Sequence, residues 1–218
     1  ANRGACTHPC RWKYAVVEES RPGEYMPVYE NERGTYIFNS RDLCMIEHIP
    51  ELMDAGIDSF KIEGRMKSSF YVATIVGAYR KAIDAYYEDP QRYVFREEWM
   101  RELKKVSHRE FTTGFYFGKP DETSQIYDSN TYVREYTYLG FAEEIDERGL
   151  ARLTQRNKFS VGETIEIMKP DGRNIPVTVE AIYNEEGEAM ESAPHAQQRI
   201  YVKLTEMPEV FDILRRGE

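Results

Sequence analysis

Residues 56–90, GIDSFKIEGRMKSSFYVATIVGAYRKAIDAYYEDP, decide the fold. Residues 58–64 alternate, with Phe60 and Ile62 on one face and Lys61 and Glu63 on the other, which predicts a short strand with one polar face. Ser68 can then cap a helix whose Val72, Ala73, Ile75, Val76, Tyr79, Ala82, Ile83 and Tyr86 form a broad apolar stripe ending near Pro90. Upstream, Ile46, Ile49, Leu52 and Met53 fall on one helical face, and Ala55-Gly56 gives its stop signal. Helix, strand and helix joined by short links is the rhythm of a β/α layer or barrel.

Working outward, residues 25–30 and 35–39 alternate around Asn31-Glu32-Arg33-Gly34, which predicts a hairpin with a four-residue turn. Residues 92–106 read as another helix, and the aromatic segment 111–118 followed by Lys119-Pro120 reads as the exit from a first domain. After Asp128 the pattern becomes β-type. Residues 131–142, 150–154, 164–168, 175–182 and 200–204 are short strand candidates separated by Gly-containing turns, which suggests a small closed barrel over 126–205. The expected class is α+β: residues 1–120 as the C-terminal portion of a (β/α) TIM-like barrel with an inserted β-hairpin, and residues 121–218 as a small separate β-barrel domain.

Composition sets the limits of function. The chain of 218 residues is 41% apolar and 31% charged, which describes a core-forming domain pair rather than a disordered chain. No apolar run approaches the ~18 residues of a membrane span, and no charged-then-apolar leader opens the chain. It starts at Ala1 rather than Met, so it is read as processed or as a piece of something longer. The net charge of −9 is unevenly placed: Lys plus Arg against Asp plus Glu is 18 to 18 over residues 1–120, and 11 to 20 over 121–218. A nucleic acid would therefore dock only on a local basic patch. Three cysteines are too few for a disulfide scaffold and suit a reducing cytoplasm or a metal site.

Two constellations carry chemistry. Cys6 and Cys10 lie in a loop flanked by Gly4 and Pro9, with Cys44 at the start of a helix; thiolates so placed can wrap a soft metal, or they are an ordinary buried thiol and two bystanders. Three ligands are one short of the usual four, so the set needs His8, an exogenous ligand or a cysteine upstream of Ala1. The second is Lys61-Ile62-Glu63-Gly64-Arg65-Met66-Lys67. At the C-terminal end of a barrel strand, Lys61 and Glu63 would point inward while Arg65 and Lys67 crown the rim, a ring suited to an anionic ligand; the alternative is an internal ion pair closing the barrel floor. His8, His48, His108 and His195 are scattered, and the sequence holds no phosphate loop, dinucleotide fingerprint or zinc-protease motif.

Asn2-Arg3-Gly4-Ala5-Cys6 through Pro9-Cys10-Arg11-Trp12-Lys13-Tyr14, then Ser40-Arg41-Asp42-Leu43-Cys44, then residues 56–67 in that order, resemble the signature of the U32 family of collagenase-like peptidases. The resemblance is closest to its prephenate-dependent tRNA uridine hydroxylation branch, which forms 5-hydroxyuridine at the wobble position. It implies a [4Fe-4S] cluster on Cys6, Cys10 and Cys44, with a fourth cysteine upstream in a Gly-Arg-Cys motif. It further implies prephenate as co-substrate, held by Lys61, Arg65 and Arg41 with Lys67 beside them, and Glu63 as an orienting or acid/base group. tRNA is the implied partner, a partner protein would meet the C-terminal barrel, and the cytoplasm is the implied location.

The same resemblance implies that this is the C-terminal half of a protein of roughly 400 residues, inactive alone because half a barrel cannot assemble the ring of site-forming loops. A collagenase-like peptidase, or a non-catalytic RNA- or protein-binding module, stands as the alternative.

Overall fold

The computed structural model describes residues 29–31, 34–36, 41–118 and 135–217. They fall into two compact units, one drawn from residues 1–45 and 108–133 and the other from 46–107 and 134–218.

In the first unit, β1 (Tyr29–Asn31) pairs antiparallel with β2 (Gly34–Tyr36). The hairpin is as expected but tighter: Asn31 faces Gly34 as a ladder pair, so only residues 32–33 connect the strands. β3 (Asp42–Leu43) pairs in parallel with β4 (Phe111–Thr112), which makes the segment expected as a domain exit part of a sheet.

The second unit begins with a 3-10 turn, Ile46–His48, running into α1 (Ile49–Asp54), and Gly56 at φ +77° ends it, as the sequence predicted. Residues 57–64 do not form the expected strand. Their alternation survives, with Phe60 and Ile62 half-buried and Lys61 and Glu63 exposed. A strand needs a neighbour for its N–H and C=O groups, and no described strand pairs with this segment.

α2 (Ser69–Glu88) starts where expected, its cap Ser68 accepting from the Tyr71 N–H at 3.2 Å. Its buried residues, Phe70, Thr74, Ile75, Ala78 and Ala82, run mainly at four-residue intervals. α3 (Glu97–Lys104) starts five residues later than predicted, because Asp89 gathers the Gln91 and Arg92 N–H groups into a turn. Trp99 and Leu103 are its buried side, and Val106 is buried just beyond its end.

An eight-stranded antiparallel sheet completes this unit: β5 (Tyr136–Phe141), β6 (Glu144–Ile145), β7 (Ala151–Thr154), β8 (Thr164–Met168), β9 (Asn174–Tyr183), β10 (Ala189–Met190), β11 (Arg199–Leu204) and β12 (Ile213–Gly217). The order is β5-β12-β8-β9-β11-β7-β6, with β10 on β9. The Arg156 N–H donates to Leu139 O at 2.9 Å, so the chain leaving β7 also meets β5 at the other edge. Inward side chains alternate along the strands, and Leu139, Leu153, Phe159, Ile165, Ile167, Val179, Ile182, Ile200, Val202 and Leu214 form the core. β12 lies beyond the expected end of the β region at 205, yet it sits between β5 and β8.

The helices pack on this sheet. Phe70 stacks on Tyr138 at 5.8 Å, and the Thr74 hydroxyl lies 3.6 Å from Met168 Sδ. Arg215 of β12, fully buried, donates through Nη1 to Glu102 Oε2 of α3 and through Nε to Glu166 Oε2 of β8. No helix among the described residues is long and apolar enough to cross a membrane.

Candidate functional site

The segment from Lys61 to Lys67 is a braced loop. The Arg65 N–H donates to Glu63 Oε1 at 2.9 Å, and the Lys67 N–H to Gly64 O at 2.9 Å, closing a turn just before the Ser68 cap. Gly64 sits close to α2: a Cβ there would lie 3.1 Å from Val72 Cγ2, so a larger residue would push on that side chain. Lys67 is tied down, its Nζ donating to Ser107 O at 3.1 Å and lying 4.9 Å from the Tyr71 ring centroid. Lys61, Glu63 and Arg65 are exposed, not pointed inward as a barrel strand would place them. Glu63 spends one oxygen on the turn, so Lys61 and Arg65 are left as outward cations on a fixed backbone. Such a surface can take an anion, because the ordering of the loop precedes binding.

Arg41 and Cys44 belong to the other unit. Arg41 Nη2 lies 2.9 Å from Glu110 Oε2, and its Nε is buried without a hydrogen-bond partner among the described residues. Next to it, Asp42 receives Arg109 twice, Oδ2 from the backbone N–H at 2.9 Å and Oδ1 from Nε at 3.0 Å. Cys44 closes the β3–β4 ladder through its backbone N–H, which donates to Thr112 O at 2.9 Å, and the residue is 8% exposed. Cys6 and Cys10 lie outside the described residues. Among the described residues no group of three His, Cys, Asp or Glu side chains could hold a metal.

The Asp42–Arg109 pair and buried His108 escaped the sequence reading. The partners of that pair are 67 residues apart, a separation no local pattern reports. His108 stacks on Phe111 at 4.6 Å with Nδ1 2.8 Å from Arg109 O, and its Nε2 is buried without a partner among the described residues.

Comparison with known proteins gives this geometry its context. The model of peptidase family U32 matches residues 1–126, and that of the peptidase family U32 C-terminal domain matches residues 134–215. The chain belongs to peptidase family U32. Among U32 relatives, tRNA hydroxylation protein P1 of Bacillus subtilis is 36% identical over 219 residues, covering 100% of this chain and 52% of its own length. A protein named collagenase from Porphyromonas gingivalis is 33% identical over 219 residues, 99% of this chain and 58% of its own. The solved C-terminal domain of a U32 peptidase from Geobacillus thermoleovorans is 26% identical with a TM-score of 0.34, covering 37% of this chain and 99% of that one. The chain spans about half the length of the curated tRNA hydroxylation proteins of Bacillus subtilis (P1), Escherichia coli and Haemophilus influenzae that it matches.

The loop at 61–67, Arg41 and Cys44 all fall within the segment matched by the U32 family model, and Arg215 is the last residue matched by the C-terminal one.

Proposed function

We propose that this chain is the C-terminal half of a protein that hydroxylates the wobble uridine of tRNA in the cytoplasm, using prephenate as co-substrate. The observation that carries the reading is the similarity to tRNA hydroxylation protein P1 along the whole of this chain. In this reading residues 1–120 would complete a TIM-like β/α barrel with an N-terminal half, and residues 121–218 would be the small β-barrel, against which α2 and α3 pack. Support for the missing half comes from α2, whose Val72 and Val76 are 40% and 45% exposed on the side away from its buried face, with Met66 just before it at 67%. A helix that is apolar on more than one face is built to be covered twice.

Prephenate is a dicarboxylate, and Lys61 and Arg65 are exposed cations of the braced loop; in the other unit Arg41 is paired with Glu110, and its buried Nε has no hydrogen-bond partner among the described residues. Lys67 holds the loop to Ser107 and adds charge beside it. Glu63 keeps the turn in shape and has one carboxylate oxygen left for a substrate hydroxyl or a cation.

A [4Fe-4S] cluster needs thiolate donors sheltered from water, and Cys44 fits by donor type and by burial. Cys6, Cys10 and Cys44 would hold it together with a cysteine upstream of Ala1, and when bound it supplies electron transfer. Anaerobically prepared full-length protein should contain four irons per chain, by the nature of the cluster, and Cys44→Ser should lose iron and visible absorption together. Iron-free protein that still hydroxylates tRNA would reject the cluster's role.

A peptidase is the second reading, favoured by the similarity to the Porphyromonas collagenase. Cleavage of gelatin by rigorously purified full-length protein, lost in Glu63→Gln, would support it over the first.

A further inference from the structure

We propose that the Phe141–Phe211 surface at the end of the sheet docks an arginine- or lysine-bearing segment of a partner protein. The inference does not rest on the proposed tRNA hydroxylation.

Phe211 adopts φ +76°, a left-handed conformation that a bulky side chain enters only at a cost. The fold nevertheless fixes it there. Its N–H donates to Ala142 O at 2.7 Å, the Ala142 N–H donates to Asp212 O at 2.9 Å, and the Asp212 N–H donates to Glu209 O at 3.0 Å. Asp212, 1% exposed, accepts from the Glu209 N–H and pairs with Lys169 Nζ at 2.6 Å. All this scaffolding presents a ring that is 73% exposed, stacked on Phe141 at 6.4 Å and next to Val210 at 43% exposed. The stack on Phe141 returns part of that cost inside the chain, and the large share of Phe211 left in water points to a further return outside it.

Charge selects the occupant. Glu143 and Glu144 follow Phe141 closely in the chain, and Glu209 and Asp212 flank Phe211. Among the described residues Arg152 pairs with Glu143 and Glu144, and Lys169 with the buried Asp212 and with Glu209, so the solvent-facing carboxylates next to the two phenylalanines in the chain are those of Glu144 and Glu209. The Glu209 side chain is 83% exposed and that of Glu144 53%. An exposed aromatic face with solvent-facing carboxylates close to it in the chain suits a guanidinium or ammonium, by cation–π contact above the ring and ion pairing with Glu144 or Glu209. A phosphate backbone would be repelled here, and so would a second copy of this acidic chain.

The test uses the whole chain and the blocked peptide Ac-Arg-Gly-Arg-Gly-Arg amide, with its Glu counterpart as control. The Arg peptide should shift the amide resonances of Ala142, Phe211 and Asp212, and Phe211→Gly should weaken its affinity about tenfold or more. Because glycine accepts positive φ freely, Phe211→Gly should leave the melting temperature unchanged or raise it. A lowered melting temperature would overturn the proposal by making Phe211 part of the fold. So would equal shifts from the Glu peptide, unchanged affinity in Phe211→Gly, a tRNA that shifts these amides while the Arg peptide does not, or a dimer that Phe211→Gly dissociates.

Discussion

Arg215 of β12 and Glu102 of α3, 113 residues apart in the chain, meet at 3.2 Å with the guanidinium fully buried. The same guanidinium reaches Glu166 at 3.1 Å and lies 4.6 Å from the Tyr136 ring centroid and 5.7 Å from that of Phe70. Glu102 is further engaged by Lys105 at 2.6 Å and by Asn174 Nδ2 at 3.0 Å. One buried cation therefore joins α2, α3, β5, β8 and β12. Its charge would be expensive to bury alone, and two carboxylates with two aromatic faces offset that cost.

Removing the cation should accordingly cost more than removing an apolar residue of like size. Arg215→Ala is expected to destabilise the chain by about 3 kcal/mol or more, read as a lower urea midpoint, because Glu102 and Glu166 are left facing each other. Combining it with Glu102→Gln should recover part of the loss. Additive losses in the double variant would dispose of the coupling.

Acid should act on the same pair. Burial pushes the Glu102 carboxyl up, but the Lys105 hydrogen bond and the charges of Arg215 and Lys105 outweigh it and hold the group below the ordinary carboxylate range. A depressed folded-state value means stability that is present above the unfolded pKa and lost as pH falls through the folded one. The stability gap between wild type and Glu102→Gln should thus be full at neutral pH and close as pH falls below the ordinary carboxylate range. A gap independent of pH in urea titrations would show that Glu102 contributes by shape alone.

Gly140 is a second point where one atom decides. At φ +148° on β5, a Cβ would come to 3.1 Å from Thr154 O and 3.0 Å from Leu153 Cδ1, opposite the register shift between Leu214 and Arg215. Gly140→Ala should lower stability by about 1–3 kcal/mol, because backbone and core are both in the way. An unchanged thermal midpoint would mean that β5 gives way easily.

At the front of α2, Ser68→Ala removes the acceptor for the Tyr71 N–H and should cost about 1 kcal/mol in a denaturant titration. Ser68→Asp should keep the cap, and a similar loss in both variants would assign the effect to something other than capping.

What the sequence disclosed follows from how local each signal is. Ser68, the bounds of α2, the Gly56 stop and the strand Thr164–Met168 are set by neighbours within a few residues and stand where the pattern places them, whereas of the apolar stripe predicted for α2 only Ile75 and Ala82 are buried and Val72 and Val76 face outward. β12 was hidden because Arg215-Arg216 reads as an exposed end, whereas the partners that bury Arg215 lie on α3 and β8. Residues 58–64 show the converse: their alternation is correct, yet alternation alone cannot provide the neighbouring strand that would make a ladder. In the site, the grouping of Lys61, Glu63, Arg65 and Lys67 was legible because one loop carries them. The brace from Glu63 to the Arg65 N–H and the Asp42–Arg109 pair depend on geometry no spacing reveals.

The central claim is that this loop holds an anionic co-substrate for tRNA hydroxylation, and Arg65 tests it most directly. Its side chain is exposed, and only its backbone N–H takes part in the turn, so Arg65→Ala should leave the fold intact. The measurement is the fraction of wobble uridine converted to 5-hydroxyuridine, by mass spectrometry of tRNA from cells carrying the full-length gene with or without Arg65→Ala at equal protein level. Loss of a bidentate contact, about 1.5–3 kcal/mol, predicts a large fall in that fraction, restored in part by excess prephenate. An unchanged fraction would contradict the account.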